Sequence, residues 1–175
     1  MTATYRPPRL LAADHVVEGF ECRSPEQTEW LVRHARRSSG VGTTRVLVVT
    51  PTDSNVVVAY YAWCMASISI DHAPSRMRKG AGRYPQPVAL LARLGVDVAH
   101  EGRGLGAGLL LDVIARTFAL GEEIGCRGLL VHAETVEAKD FYVHLLAELA
   151  VSPTDDLHLF LLMKDIRRTL RDRAS

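Results

Sequence analysis

The chain is poor in the features that announce a compartment or a metal. Its 175 residues hold three cysteines, Cys22, Cys64 and Cys126, odd in number, far apart and without CxxC spacing. That argues against a disulfide frame and a zinc site, and favours reduced thiols that fill structure in a cytosolic protein. No apolar run approaches membrane-spanning length, and MTATYRPPRLL (1–11) lacks the apolar core of a signal peptide. A cytoplasmic protein with no membrane partner and no metal is expected. An excess of one charge sign is missing too. Lys and Arg number 21 against 20 Asp and Glu, a formal net charge of +1, so attraction to a nucleic acid has to come from local clustering. Repeats, low-complexity tracts and linkers are absent. At 47% hydrophobic, the chain suits one substantial core and is short for two, so a single domain over 1–175 is expected.

Glycine, by contrast, is concentrated in one place. HEGRGLGAGLLLDVIART (100–117) carries Gly102, Gly104, Gly106 and Gly108 and then a Leu-rich helical pattern. Glycine loses the most backbone freedom in a helix, so the cluster implies a tight turn or a close approach to its backbone. VALLARLGVDV (88–98), just before it, is apolar and β-branched like a buried strand. In a strand, glycine loop and helix unit, the first helical N–H groups lack intrahelical partners and lie at the positive end of the dipole. That arrangement suits a phosphate or pyrophosphate, and the expected guest is an anionic cofactor.

The rest of the chain supplies the setting. SPEQTEWLVRHARRSSG (24–40) reads as a helix capped by Ser24 with Pro25 behind it and stopped at Gly40. TRVLVVT (44–50) and NVVVAYYAWCMASISI (55–70) flank the turn residues PTDSN and read as antiparallel strands. Periodicity vanishes over 71–87, a long Pro- and Gly-bearing loop of the kind that often carries function. After the glycine loop come a helix to about Gly121, a strand CRGLLVHA (126–133), a helix TVEAKDFYVHLLAEL (135–149), the break SPTDD and a strand LHLFLLM (157–163). The order is helix, antiparallel strands, then βαβαβ.

Several phosphate binders compete for the glycine loop. The nucleotide P-loop needs a Lys followed by Ser or Thr, and none follows these glycines. Gly102, Gly104 and Ala107 match the dinucleotide fingerprint GxGxxA, with Glu134 as a candidate acidic partner. Mixed strands precede the loop, however, and too little chain follows for successive parallel units. Glycines that merely close a turn are the plain structural reading.

ARLGVDVAHEGRGLGAGLL (92–110) resembles the acyl-CoA motif of the GNAT family of N-acetyltransferases, Gln/Arg-x-x-Gly-x-Gly/Ala after a buried strand. Glu101 takes the Gln/Arg place, with Gly104 and Gly106 as the glycines. Arg103, Gly106 and Gly108 satisfy the pattern in a second register. A glutamate beside a pyrophosphate is unfavourable, so Glu101 is expected to point outward and serve through its backbone. The resemblance extends through FECRSPEQTEWL, VAYYAW, RLGVDVAHEGRGLG, EAKDFY and SPTDDLHLFLLMKDI, in order. These are similar to segments of the GNAT acetyltransferase toxins of type II toxin-antitoxin modules.

The resemblance implies the GNAT acyl-CoA N-acyltransferase fold, an α/β (α+β) architecture whose central, mixed, mostly antiparallel sheet is flanked by helices. It implies transfer of acetyl from acetyl-CoA to the α-amino group of aminoacyl-tRNA, which blocks translation. It also implies a ribbon-helix-helix antitoxin that silences the toxin, and a homodimer. Val96, Asp97, Val98, Glu101, Gly102, Arg103, Gly104, Leu105, Gly106 and Ala107 would then hold acetyl-CoA, and Tyr142 would protonate the departing CoA sulfur. Bottom-up, Tyr142 beside Phe141, on a helix with Ala138, Leu145 and Leu149, reads equally as core. Backbone N–H groups near Val96 and Val98, at the family's bulge, are the candidate oxyanion donors. His100 and His132 read as structural residues at strand positions, and His144, two positions after Tyr142, faces roughly the opposite side of its helix.

Local charge is uneven. Arg76, Arg78, Lys79, Arg83 and Arg93 have no acid between them, and Arg33, Arg36, Arg37 and Arg45 form a second acid-free stretch. The first group is the candidate tRNA-binding set, since such patches suit a phosphate backbone; a solvated loop and helix face is the alternative. Arg93 lies in the apolar strand and needs a partner. FYVHLLAELAVSPTD lacks the family's Gly-Phe turn, which suggests a longer catalytic helix. The competing functional readings are a GNAT enzyme acting on a protein or small-molecule amine, and a CoA- or partner-binding module without turnover.

Overall fold

The computed structural model describes residues 4–175; residues 1–3 of the segment read for a signal peptide lie outside them. In chain order the elements are β1 (Arg9–Leu10), α1 (Pro25–Glu29), a π-helical turn (Trp30–His34), α2 (Ala35–Gly40), β2 (Arg45–Val49) and β3 (Ala59–Ile68). Then follow α3 (Ser75–Arg78), β4 (Gln86–Val96), α4 (Leu105–Glu123), β5 (Gly128–His132), α5 (Val136–Leu145), β6 (Ala150–Val151), β7 (His158–Leu162) and α6 (Met163–Ala174). The seven strands are ordered β1-β2-β3-β4-β5-β7-β6 in a mixed sheet. The chain clusters into two compact units, Met1–Cys64 with Ala92–Asp112 and Met65–Leu91 with Val113–Ser175.

In the first unit, Ser24 accepts the Gln27 N–H at 3.1 Å, and Pro25 occupies the first turn, where its missing donor costs nothing. The helix expected over 24–40 runs through a π turn at Trp30–His34, where its register shifts by one residue. Its buried Leu31 and Ala35 pack in one cluster with Phe20, Cys22, Val46, Val48 and Tyr60. Each such large side chain contributes roughly 1.5–3 kcal/mol on burial. The expected antiparallel pairing holds, with Arg45 opposite Trp63 and Val49 opposite Ala59.

In the second unit β4 and β5 are parallel, from Ala89↔Leu129 to Leu91↔Val131, and a parallel pair requires a crossover, which α4 supplies. β5 and β7 are antiparallel, so only the first half of the βαβαβ reading is a parallel unit. Ile68, Met77, Val88, Leu130, Phe160 and Leu162 form its core cluster.

Four boundaries differ from expectation. β4 ends at Val96, and Asp97 starts a tight turn. The long loop contains α3, formed around buried Met77. α5 stops at Leu145 because Leu146 is extended, so Leu149 does not share the helix of Tyr142 and that helix is not lengthened as expected. β7 gives way at Met163 to α6, a helix the apolar pattern had not revealed. Cys22, Cys64 and Cys126 are free thiols. No helix among the described residues is long and apolar enough to cross a membrane.

Candidate functional site

The glycine loop is built from Asp97 onward. One Asp97 carboxylate oxygen accepts the Ala99 N–H at 2.9 Å and the other accepts the Glu21 N–H at 3.0 Å, fixing the turn that follows β4. Gly102 (φ 73°) and Gly104 (φ 79°) are left-handed, which explains two of the four clustered glycines by backbone geometry. A Cβ at either would meet no atom within 4 Å, so their backbone faces open space. Gly108 donates to the Gly104 carbonyl at 3.0 Å as α4 begins. The N–H groups of Leu105, Gly106 and Ala107 precede that bond and have no acceptor inside the helix. Open glycine backbone leading to these donors at the positive end of a 19-residue helix is chemically suited to a pyrophosphate.

Glu101 does not leave a bare carboxylate there. Arg23 Nε and Nη2 donate to its two oxygens, each at 2.8 Å, a bidentate pair. Arg103 donates to the Tyr5 hydroxyl at 2.9 Å, and that hydroxyl bonds His100 Nδ1 at 2.8 Å. Arg93 has the partners its burial demands: Glu26 at 3.3 Å, Gln27 at 3.1 Å, and the Trp30 ring with the guanidinium carbon 4.9 Å from its centroid. Beside Arg23 a cleft of about 630 Å³ is lined by Phe20, Cys22, Pro25 and Thr28 among others.

The candidate oxyanion donors need one correction. Val98 N–H donates to the Glu21 carbonyl at 2.8 Å and Asp97 N–H to the Val58 carbonyl at 2.9 Å. Both hold the loop to its neighbours and are already used as donors, so the Val98 N–H does not fill the role assigned to it. Val96 N–H is the candidate that remains.

Tyr142 belongs to the second unit. Thr135 caps α5 by accepting the Ala138 N–H at 3.1 Å, and Tyr142 is the buried residue of this helix. Burial foremost, and then the Glu134 carboxylate, raise its phenol far above the ordinary tyrosine range, so it is protonated at neutral pH. Of the basic candidates here, Arg78, Lys79 and Arg83 are exposed, whereas Arg76 is tied to buried Asp165 at 2.9 Å. The structure therefore sets Arg93 and the acyl-CoA motif in the first unit, and Tyr142 with the loop cations in the second. His132, set aside as structural, stacks on His158 with ring centroids 3.9 Å apart in a cleft of about 370 Å³. Burial first, and His158 second, lower its pKa, against an opposing pull from Asp155. Among the described residues no group of three or more His, Cys, Asp or Glu is placed to hold a metal ion.

Sequence reasoning missed Arg23 and Tyr5. Arg23 stands 78 residues from Glu101, and the misfit of Glu101 with the motif was the only hint that a cation must come from elsewhere.

A protein of Mycobacterium tuberculosis described as a tRNA-acetylating toxin is 40% identical over 168 residues, which cover 96% of this chain and 98% of that one. The chain belongs to the tRNA-acetylating toxin family. No protein-family model matches it. Solved structures agree on the fold. AtaT complexed with acetyl-methionyl-tRNAfMet superposes with a TM-score of 0.86 at 23% identity, over 95% of this chain and 99% of that chain. A mutant AtaT toxin bound to the C-terminus of the antitoxin AtaR and acetyl-CoA gives 0.81 at 21% identity, over 95% and 98%. Both AtaT structures share the fold of this chain.

Proposed function

We propose that this protein is a toxin that transfers acetyl from acetyl-CoA to the α-amino group of aminoacyl-tRNA and so blocks translation. The observation that carries the reading is the end-to-end relationship to a tRNA-acetylating toxin. The glycine loop supports it, because its open backbone and helix-start donors suit the CoA pyrophosphate.

Acetyl-CoA supplies the acetyl group as a thioester when bound. Residues 96–98 and 101–107 hold the pantetheine and pyrophosphate, with Arg23 keeping the Glu101 charge engaged. An α-amino group titrates near pH ~8 and its ester form lower, so a neutral fraction attacks without a strong base. The carbon–nitrogen bond forms at the thioester carbonyl, Val96 N–H meets the charge that develops on oxygen, and the carbon–sulfur bond then breaks. Tyr142 gives its proton to the departing thiolate and is reprotonated as the acylated amine loses its own. Arg78, Lys79 and Arg83 meet tRNA phosphates, and Arg76 borders them. Arg93 lines the acceptor side.

The same reading carries a cytoplasmic, single-domain protein that works as a homodimer and is neutralised by a ribbon-helix-helix antitoxin.

The test is transfer of labelled acetyl from acetyl-CoA to a pool of charged tRNA, with wild type and Tyr142→Phe side by side. Label on the aminoacyl end, reduced about 100-fold or more in the variant at unchanged acetyl-CoA affinity, supports the reading. Acetyl-CoA binding without labelled tRNA overturns it, and turnover of a protein or small-molecule amine in its place selects the other acetyltransferase reading.

A further inference from the structure

Charge in the second unit is concentrated on two segments that meet. Residues 75–83 and 163–174 together hold nine cations against two aspartates, Asp165 and Asp172, in a chain whose formal net charge is +1. The rest of the molecule is therefore net acidic. Asp165 is buried and joins the segments: Arg76 reaches it at 2.9 Å from α3, and Arg168 at 3.7 Å from its own helix. Along α6 the exposed Lys164, Arg167, Arg168 and Arg171 recur at i, i+3, i+4 and i+7, a single stripe opposite the buried Asp165, Ile166 and Thr169. Arg167 lies 3.9 Å from Glu122 and over the Phe118 ring, so its guanidinium rests along the surface of α4 at the edge of the stripe. At 1.5 Å rise per residue the stripe is about 10 Å long, room for about two successive phosphates of one strand.

From this stripe and its junction with the α3 loop, we propose that α6 is a docking surface for the phosphate backbone of the tRNA, continuous with Arg78, Lys79 and Arg83. This rests on the aminoacyl-tRNA reading and adds to it the element that engages the body of the substrate. Four guanidinium and ammonium groups on one helix face, two of them only loosely paired at 3.7 and 3.9 Å, match a polyanion read by charge and not by base sequence. α6 makes no contribution to the chemical step, so its effect is on KM and not on kcat.

The experiment compares wild type with Lys164→Gln/Arg168→Gln/Arg171→Gln, and with Arg171→Glu alone, which lies a full turn beyond the Asp165 contact. Each is assayed for acetylation of charged tRNA from 50 to 200 mM salt, with binding of the same tRNA followed by anisotropy. Melting temperature and acetyl-CoA affinity confirm the fold. The expected result is a tRNA KM raised about tenfold in the triple variant at unchanged kcat. The slope of log affinity against log salt should be shallower by about 2, and by about 1 for Arg171→Glu. Folded variants that match an active wild type in KM and slope overturn the α6 surface alone. A wild type that neither binds nor modifies tRNA overturns the surface and the reading together. Variants that keep tRNA affinity but lose the antitoxin assign the stripe to an acidic protein partner and overturn tRNA as its occupant.

Discussion

Arg23 grips both carboxylate oxygens of Glu101 at 2.8 Å, across 78 residues of sequence, at the mouth of the glycine loop. The acyl-CoA motif that this segment resembles has Gln or Arg where this chain has Glu, and the pair shows how the loop accommodates the Glu: a cation comes from a distant segment of the same chain. Arg23 is exposed, so the pair adds little to stability. Its effect lies in the potential at the start of α4. Arg23→Ala should weaken acetyl-CoA binding roughly two- to fivefold with a nearly unchanged melting temperature, because Glu101 then faces the pyrophosphate unpaired. Arg23→Ala/Glu101→Gln should recover wild-type affinity. Titration calorimetry with acetyl-CoA decides it, and a double variant as weak as Arg23→Ala alone removes the electrostatic explanation.

Tyr142 sets the pH behaviour. Its phenol is raised in the folded protein by burial and by Glu134, so it stays protonated well beyond pH 10, where a free tyrosine ionises. The rate of tRNA acetylation should rise through the pKa of the acceptor amine, which its ester linkage sets below ~8, and show no falling limb up to pH 9. The sign for stability follows. The folded pKa exceeds the unfolded one, so this group's contribution is intact below pH ~10 and is lost as pH rises through the folded value. Tyr142→Phe should lose less stability between pH 10 and 11 than wild type, in denaturant titrations at each pH. Equal losses would mean that Tyr142 is solvated.

Asp165 is 1% exposed, and Arg76 meets its two oxygens at 2.9 and 3.2 Å. A buried carboxylate stripped of its partner is costly, although Arg168 at 3.7 Å softens the loss. Arg76→Ala should therefore lower stability by about 2 kcal/mol, which is ~4–8 °C in melting temperature for a chain of this size. Arg76→Ala/Asp165→Asn should return most of it, and calorimetric melts of wild type, Arg76→Ala, Asp165→Asn and the double variant measure the coupling.

What the chain disclosed in advance was local. The capped helix at Ser24, the strand before the glycine loop and the helix of Tyr142 carry their signals within a dozen residues, where period, cap and turn chemistry all agree. Two left-handed glycines, Gly102 and Gly104, account for the strongest of those signals. What stayed hidden depended on partners. α6 follows β7 with no break, and in MKDIRRTLRDRA seven charged residues dilute an apolar stripe that rests on Ile166, Thr169 and Leu170. The engagement of Val98 N–H by Glu21 and the grip of Arg23 on Glu101 join segments more than 70 residues apart, which no window of sequence reveals. Periodicity alone sets Leu149 beside Tyr142, but the extended backbone at Leu146 ends the helix first.

Gly128 is the position where β5 and β7 leave no room. Its φ is 151°, and a Cβ there would lie 2.1 Å from the Leu161 carbonyl oxygen and 3.1 Å from Leu162 Cα. These are backbone atoms of the paired strand, with Gly128 opposite Leu162 and Leu129 opposite Leu161, so no side-chain rotation relieves the clash. Gly128→Ala should cost about 3 kcal/mol or more, seen as a melting temperature ~6–12 °C lower. Acetylation should fall with it, because β5 leads through Thr135 into the helix that carries Tyr142. Gly125→Ala is the control: a Cβ there meets nothing within 4 Å and the backbone is not left-handed, so the change should be neutral or stabilising by up to about 1 kcal/mol. If Gly128→Ala melts with Gly125→Ala, the β5–β7 register is not the one described.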